Sequence, residues 1–260
     1  MNTRILVAVI GIPVIILIVL RCPLLVLCAA LCALAGMAGA ELQRCVSGQR
    51  RGVMVVVSAV LPVFTVFWYY WTLKAPVMLW ALELGILSAY AVSQGGKVKF
   101  EQVSAALLSA TAVAYSFASF LRMDNGGADR VLLLLPFVLS FACDSGAYLA
   151  GRAFGRHKLA PVVSPHKTVE GAIGGLLGNV VGGLVFVFLT HSGEYVSIAA
   201  LSLVCGVISQ LGDLSFSLIK RQYGIKDYGR VFLAHGGVLD RFDSVLFVAP
   251  VVEFALSRLP

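Results

Sequence analysis

The sequence predicts an all-α polytopic membrane protein with about nine transmembrane helices. The chain of 260 residues is 59% hydrophobic and only 13% charged, with a mean hydropathy of +0.93. A soluble domain of this length cannot bury so much apolar surface, whereas a bilayer can solvate it. Apolar stretches of spanning length also recur along the whole chain. Because backbone groups in hydrocarbon must be satisfied within their own segment, we expect helices.

The predicted spans follow one another with short polar breaks between them. Each has roughly the 17–25 residues needed to cross the hydrocarbon core. They lie at 4–20, 23–40, 53–72, 75–93, 102–121, 131–150, 171–190, 195–216 and 239–258. The first could also be a signal peptide, but Arg21 follows it without a small-residue cleavage site, so we expect an uncleaved span.

The distribution of Lys and Arg predicts how these spans are oriented. With nine spans, the side that holds the N-terminus has fifteen Lys and Arg residues and the opposite side has five. Such a bias marks the cytoplasmic side, so the N-terminus is expected in the cytoplasm and the C-terminus outside. The net charge of +7 is spread over short loops, and no nucleic-acid partner is predicted.

The polar residues divide the chain into two predicted regions. Residues 1–130 form an N-terminal region of about five spans, and residues 131–260 form a C-terminal region of about four, to which the motifs described below assign catalysis. The second region carries the cytoplasmic loops 151–170 and 217–238. Within it, "GAIGGLLGNVVGG" (171–183) repeats the small-xxx-small spacing that lets helices approach closely in lipid. We interpret that stretch as a packing surface.

A first polar cluster surrounds the loop 151–170. Asp144 lies near the cytoplasmic end of the sixth span, and a basic loop follows it. Hydroxyl and charged residues then gather at the head of the next helix: Ser164, Lys167, Thr168 and Glu170. A helix N-terminus with a lysine and hydroxyls suits a phosphate group. The alternative is a juxtamembrane patch that contacts anionic lipid headgroups, which would explain the basic residues alone.

Two further clusters contain carboxylates. Asp213 is near the cytoplasmic end of the eighth span, where it should be neutral, metal-bound or paired with a cation such as Arg241. Asp240 and Asp243 share a face at the start of the ninth helix, after the turn His235-Gly236-Gly237. Hard carboxylate oxygens favour Mg²⁺ over zinc. Nearby cations suit phosphates: Lys220, Arg221, Lys226 and Arg230. A transporter for an anionic solute could use the same groups.

The late polar stretch resembles the signature of the phosphatidate cytidylyltransferase (CDP-diacylglycerol synthase) family. The matching residues are Ser217-x-Ile219-Lys220-Arg221, then after four residues Lys226-Asp227-x-Gly229-x-x-Phe232-x-x-His235-Gly236-Gly237-Val238-x-Asp240-Arg241-Phe242-Asp243. The segments "DSGAYLAGRAFGRHKLAPVVSPHKTVEG" and "QLGDL" are similar to other blocks of that family. The resemblance covers roughly residues 140–245.

The resemblance implies an Mg²⁺-dependent reaction in which CTP and phosphatidate give CDP-diacylglycerol and pyrophosphate. It places the metal ligands at Asp213 and Asp240, with Asp144 and Asp243 in the supporting polar site, and it leaves room for a second, monovalent cation such as K⁺. The other expected catalytic residues are Lys220, Arg221, Lys226, Asp227, His235 and Arg241. Expected substrate contacts are Ser164, Lys167, Thr168, Glu170, Ser217, Gly236 and Gly237.

The expected setting is the inner membrane of a bacterium, with the active site facing the cytoplasm and the lipid bilayer supplying phosphatidate. One rival is a related CTP-dependent membrane enzyme. It could be a polyprenol or dolichol kinase, which would release CDP instead of pyrophosphate, or a cytidylyltransferase for another lipid phosphate. A transporter would turn over no CTP. The sequence leaves the oligomeric state open, a homodimer included.

Overall fold

The computed structural model describes residues 3–74, 76–127, 129–192, 194–232 and 236–258, with side chains from residue 11 onward. Within these ranges the chain forms nine helices and one two-stranded sheet. The helices are α1 Thr3–Arg21, α2 Leu24–Ser47, α3 Val53–Thr72, α4 Val77–Ser93, α5 Phe100–Asn125, α6 Arg130–Phe154, α7 Val169–Thr190, α8 Tyr195–Gln222 and α9 Leu239–Leu256. Each helix overlaps one predicted span, in the predicted order.

Six of these helices are long and apolar enough to cross a membrane: α2, α3, α5, α6, α7 and α8. The side-chain-described part of α1, Gly11–Arg21, and α4 are shorter apolar helices. Helix α9 has 18 residues but carries four charged side chains along its length. The prediction of a helical polytopic chain is confirmed, and the count of nine spans is supported for six of them. The set fits an integral membrane protein.

A short β-hairpin departs from the expected all-α fold. Strand β1, Lys158–Ala160, pairs antiparallel with strand β2, Ser164–Thr168, inside what the sequence predicts as the loop 151–170. Lys158 lies opposite Thr168, and Ala160 lies opposite Ser164. This segment is mostly exposed to solvent and is too polar for a span, so its backbone groups are satisfied by pairing with each other.

The chain divides into two compact units. The first contains Met1–Arg122 and Tyr223–Arg241, and the second contains Met123–Gln222 and Phe242–Pro260. In the first unit α2 packs closely against α3, where a Cβ atom at Gly36 would lie 2.9 Å from the carbonyl oxygen of Ala59. The functional division into regions 1–130 and 131–260 stays a prediction.

In the second unit the glycine-rich face of α7 packs against α6. A Cβ atom at Gly178 would lie 2.8 Å from the Ala142 carbonyl oxygen and 3.0 Å from Gly146 Cα. A Cβ atom at Gly146 would lie 2.5 Å from the Gly174 carbonyl oxygen. The two backbones therefore touch without side chains between them, which confirms the interpretation of this stretch as a packing surface.

We expect Gly178→Ala to destabilise the second unit, because the added methyl group meets backbone atoms that can move only if α6 and α7 separate. Overpacking of this kind costs about 1–3 kcal/mol. The temperature of half-denaturation in detergent should fall. The control is Gly85→Ala, since a Cβ atom there has no neighbour within 4 Å. Equal stability of the two variants would contradict the packing role.

Candidate active site

A cavity of 520 Å³ opens in the second unit between the C-terminal half of α6, the hairpin, the start of α7 and the C-terminal half of α8. Its polar lining consists of Asp144, Tyr148, Arg152, His166, Lys167, Thr168, Gln210 and Asp213. Apolar and small residues complete the wall. A cavity that combines cations, carboxylates and neutral donors can hold a charged ligand in a fixed orientation.

The start of α7 brings two predicted substrate contacts into this cavity. Thr168 is the last residue of β2 and the N-cap of α7, and its Oγ1 accepts a hydrogen bond from the Gly171 N–H at 3.1 Å. Threonine suits this position because its hydroxyl satisfies one of the amides left without a partner at a helix start. Lys167, one residue earlier, points its ammonium group toward α8.

Lys167 and Asp213 form the central ion pair of the cavity. Lys167 Nζ donates to Asp213 Oδ2, and Ser217 Oγ donates to Asp213 Oδ1 at 3.2 Å. Ser217 is one helical turn after Asp213, so both side chains lie on the same face of α8. From the sequence, Arg241 is one cation that could pair with Asp213. In the structure the cation that pairs with it is Lys167, 46 residues away along the chain.

Gln210 joins the helices beneath this ion pair. Its Nε2 donates to the Ala172 carbonyl oxygen at 3.0 Å and to Cys143 Sγ at 3.7 Å. One amide on α8 therefore contacts both α7 and α6. Gln210, one helical turn before Asp213, therefore links the three helices that line the cavity.

Asp243 interacts electrostatically with two other predicted carboxylates of the second unit. Asp243, near the start of α9, is partly buried and interacts with Asp213, Asp144 and the cation Lys220. Like charges at such range are unfavourable unless a cation offsets them. Their hard oxygen donors fit a divalent cation such as Mg²⁺. Among the described residues, no group of three or more Asp, Glu, His or Cys side chains has a ready metal-binding arrangement.

Glu170 closes the hairpin against the start of α7. Its carboxylate accepts the backbone N–H of Arg156 at 3.0 Å and that of His157 at 3.2 Å, and it lies 2.6 Å from His157 Nδ1. Glu170 does not line the cavity, and neither does Ser164, which pairs with Ala160 in the sheet. Their predicted contacts with substrate stay predictions. In the structure Glu170 joins α7 to the residues before β1, and Ser164 belongs to β2.

Most of the remaining predicted site lies in residues 223–241, in the first unit. Arg221 is instead on α8 in the second unit, where its Nε donates to the Val163 carbonyl oxygen at 3.3 Å. Asp240 Oδ2 accepts the backbone N–H groups of Tyr228 at 2.8 Å and Gly237 at 2.9 Å. Gly236 has φ of +88°, a conformation that favours glycine. Side chains exposed to solvent are Lys226, Asp227, Arg230 and Arg241. The prediction for His235 concerns a residue outside those that the structure describes.

Sequence reasoning assigned no individual role to several residues that shape these sites. Tyr148, Arg152 and His166 lie within the block quoted for the family resemblance, and Gln210 lies within "QLGDL". The family resemblance therefore indicated these segments, but it did not indicate which of their side chains face the cavity. Glu41, which binds the turn before α9, gave no signal beyond being a carboxylate inside an apolar stretch.

Helices of spanning length around a polar cavity define a membrane protein with a site for a charged ligand. The comparisons with known proteins give its family. The model of the Cytidylyltransferase family matches residues 2–259. The chain belongs to this family, which confirms the resemblance found in the sequence.

The curated relatives include three proteins named phosphatidate cytidylyltransferase. The one from Staphylococcus haemolyticus (strain JCSC1435) is 37% identical over 175 residues, which cover 67% of this chain and 66% of the relative. The one from Staphylococcus saprophyticus is 36% identical over 175 residues, with the same coverage. The one from Staphylococcus aureus (strain COL) is 37% identical over 174 residues, 66% of each chain. The matched part thus spans just under two thirds of these relatives.

We expect Glu170→Ala to loosen the hairpin, because the amides of Arg156 and His157 lose their acceptor. Trypsin should then cut severalfold faster after the exposed residues Arg156 and Lys158. Mass spectrometry of the fragments measures this. Glu194→Ala is the matched control, since that exposed carboxylate contacts Ser197 and lies outside the hairpin. Unchanged cleavage in Glu170→Ala would show that the hairpin holds without this contact.

Proposed function

We propose that the protein is a CTP:phosphatidate cytidylyltransferase, which makes CDP-diacylglycerol and pyrophosphate for phospholipid biosynthesis. Family membership and the names of the relatives support this proposal. The observation that carries it is the cavity in which the ion pair of Lys167 and Asp213 lies beside Arg152 and Asp144. Such a cavity suits a triphosphate, because cations can hold its oxygens while carboxylates recruit a metal ion.

The proposed reaction needs no protein nucleophile. An oxygen of the phosphatidate phosphate forms a bond to the α-phosphorus of CTP, the bond to the bridging oxygen of the leaving group breaks, and pyrophosphate departs. Because the attacking oxygen is already anionic, the protein contributes positioning and charge neutralisation. Lys167, Arg152 and Lys220 are the cations of the second unit that we assign to phosphate oxygens. Thr168 would contribute its side chain at the cavity wall.

Asp213 is the central ligand in our assignment of a Mg²⁺ site, with Asp144 and Asp243 in support. The support is the electrostatic interaction of Asp243 with Asp213 and with Asp144, and the chemistry of carboxylate oxygens. When bound, Mg²⁺ would orient the triphosphate and offset charge on the leaving group. The family resemblance also supports a K⁺ ion and catalytic roles for further residues, which remain proposals: Asp240, Arg221, Lys226, Asp227 and Arg241. A homodimer is likewise only proposed.

We expect Asp213→Asn to lower CDP-diacylglycerol formation by more than about a hundredfold, because it removes a charge on which metal and substrate positioning depend. The assay supplies purified protein with CTP, phosphatidate and Mg²⁺, and follows pyrophosphate and the lipid product. Asp129→Asn, at an exposed carboxylate outside the cavity, is the control.

Near-wild-type turnover in Asp213→Asn would remove Asp213 from the metal site. Release of CDP in place of pyrophosphate by the wild-type protein would indicate a lipid kinase. No CTP turnover at all would favour a transporter. These outcomes differ in the products that the assay detects, so the same assay distinguishes them.

We also propose that the N-terminus and the site face the cytoplasm of a bacterium, with the C-terminus outside and the chain in the inner membrane. The excess of Lys and Arg in alternate loops supports this orientation. CTP is cytosolic while phosphatidate stays in the leaflet, so a cavity at the cytoplasmic ends of the spans would let the two substrates meet.

Cysteine labelling tests this orientation. In a background without the native cysteines, Val162→Cys in the hairpin turn and Glu194→Cys between α7 and α8 should lie on opposite sides of the membrane. Both positions are exposed, so both can react. We expect a membrane-impermeant maleimide to label Cys at 194 in intact cells and Cys at 162 only after permeabilisation. The reverse pattern would invert the topology.

A further inference from the structure

Glu41 is a deeply buried carboxylate that the proposed reaction leaves without a role. It lies on α2 in a run of small and apolar residues, and only 1% of its surface is exposed. A buried charge without hydrogen-bond donors is strongly destabilising, so Glu41 should have dedicated partners. Those partners come from the other end of the chain.

Both oxygens of Glu41 bind the backbone at the start of α9. The N–H of Val238 donates to Oε1 and that of Leu239 donates to Oε2, each at 3.0 Å. Leu239 is the first residue of α9, where backbone amides lack partners within the helix. A carboxylate also interacts favourably with the positive end of the helix dipole. Glu41 therefore holds the N-terminus of α9 from a separate helix of the same unit.

Asp240 binds the same turn from the other side. Its Oδ2 accepts the N–H of Gly237, so three consecutive amides, those of Gly237, Val238 and Leu239, all donate to carboxylates. Asp240 also accepts the N–H of Tyr228. The turn between Gly236 and Asp240 is consequently fixed by two carboxylates that share its backbone.

The glycines of the family motif leave room for these carboxylates. A Cβ atom at Gly229 or Gly237 would collide with Glu41 Oε1. A Cβ atom at Gly236 would lie 2.7 Å from Asp240 Oδ2, and its φ of +88° disfavours other residues as well. The close approach that the sequence assigns to a ligand is therefore made here by the protein's own side chains.

We propose that Glu41 is a positioning residue for the cytidylyl transfer: by binding the amides of Val238 and Leu239 it sets the turn that orients the Asp240 carboxylate. The proposal rests on the proposed function for its effect on turnover. Its structural part, the control of the turn by Glu41, can be measured without any substrate.

The test uses Glu41→Gln in the purified full-length protein. Glutamine keeps the size of the side chain but replaces one acceptor oxygen with an NH₂ group that faces an N–H donor. We expect faster hydrogen–deuterium exchange at the amides of 237–239. We also expect kcat for CDP-diacylglycerol formation to fall about a hundredfold with the KM for CTP changed less than about threefold, because misplacing a catalytic group impairs the chemical step more than binding.

Gln43→Leu is the matched control on the same helix. It removes another buried polar side chain, whose Oε1 accepts a hydrogen bond from Ser58 Oγ at 3.1 Å. Because Ser58 is on α3, the exchange of 237–239 and kcat should stay at wild-type values. If both variants lower kcat equally, general destabilisation explains the loss and the proposal is overturned.

Other results overturn the proposal in separate ways. Wild-type exchange at 237–239 in Glu41→Gln removes the control of the turn, and faster exchange with wild-type kcat removes the positioning role. If the wild-type protein makes no CDP-diacylglycerol, the proposed function fails and the positioning role fails with it, while the exchange data still report the contact. If Glu41→Gln does not fold, Gly237→Ala tests the same contact, because the added Cβ atom would collide with the intact Glu41 side chain. Gly85→Ala is the control for this variant.

Discussion

The absence of side chains between α6 and α7 is the constraint on which the candidate active site depends. Gly146, Gly174 and Gly178 let the two backbones meet, so the end of α6 and the start of α7 emerge side by side. In lipid such contact replaces the hydrophobic driving force that packs helices in water. The hairpin joins these two ends, and Asp144 on one helix and Lys167 before the other consequently line the same cavity. The close contact of α6 with α7 thus brings together residues that line the polar site.

A second regularity among the described residues is that carboxylates of this apolar chain have backbone amides as well as cations for partners. Asp213 has a lysine and a serine, Glu170 has the amides of the hairpin, and Glu41 has those of α9. Backbone amides are fixed by the fold and lose little conformational entropy on binding, unlike long basic side chains. They therefore hold a carboxylate in place without using a cation.

The sequence predicted the helices well because each apolar run has one physical solution in lipid, and the family motif located the polar chemistry. The hairpin was missed, since β1 and β2 are short, polar and close to Pro161 and Pro165, with no apolar alternation to indicate strands. The sequence also did not predict which charged side chains pair with each other. Lys167 and Asp213 are 46 residues apart, and a local pattern carries no information on which cation packs against which carboxylate.

The hydrogen bonds of Glu41 can also form only late in the synthesis of the protein. Glu41 and Leu239 are separated by 198 positions, so nearly the entire polypeptide must leave the ribosome before they can meet. Until then α2 carries a carboxylate whose final donors do not yet exist, and residues 223–241 cannot adopt their mature turn. The first unit, although it begins the chain, is therefore completed only by a segment synthesised after most of the second. The turn before α9 therefore reaches its final structure late in biosynthesis.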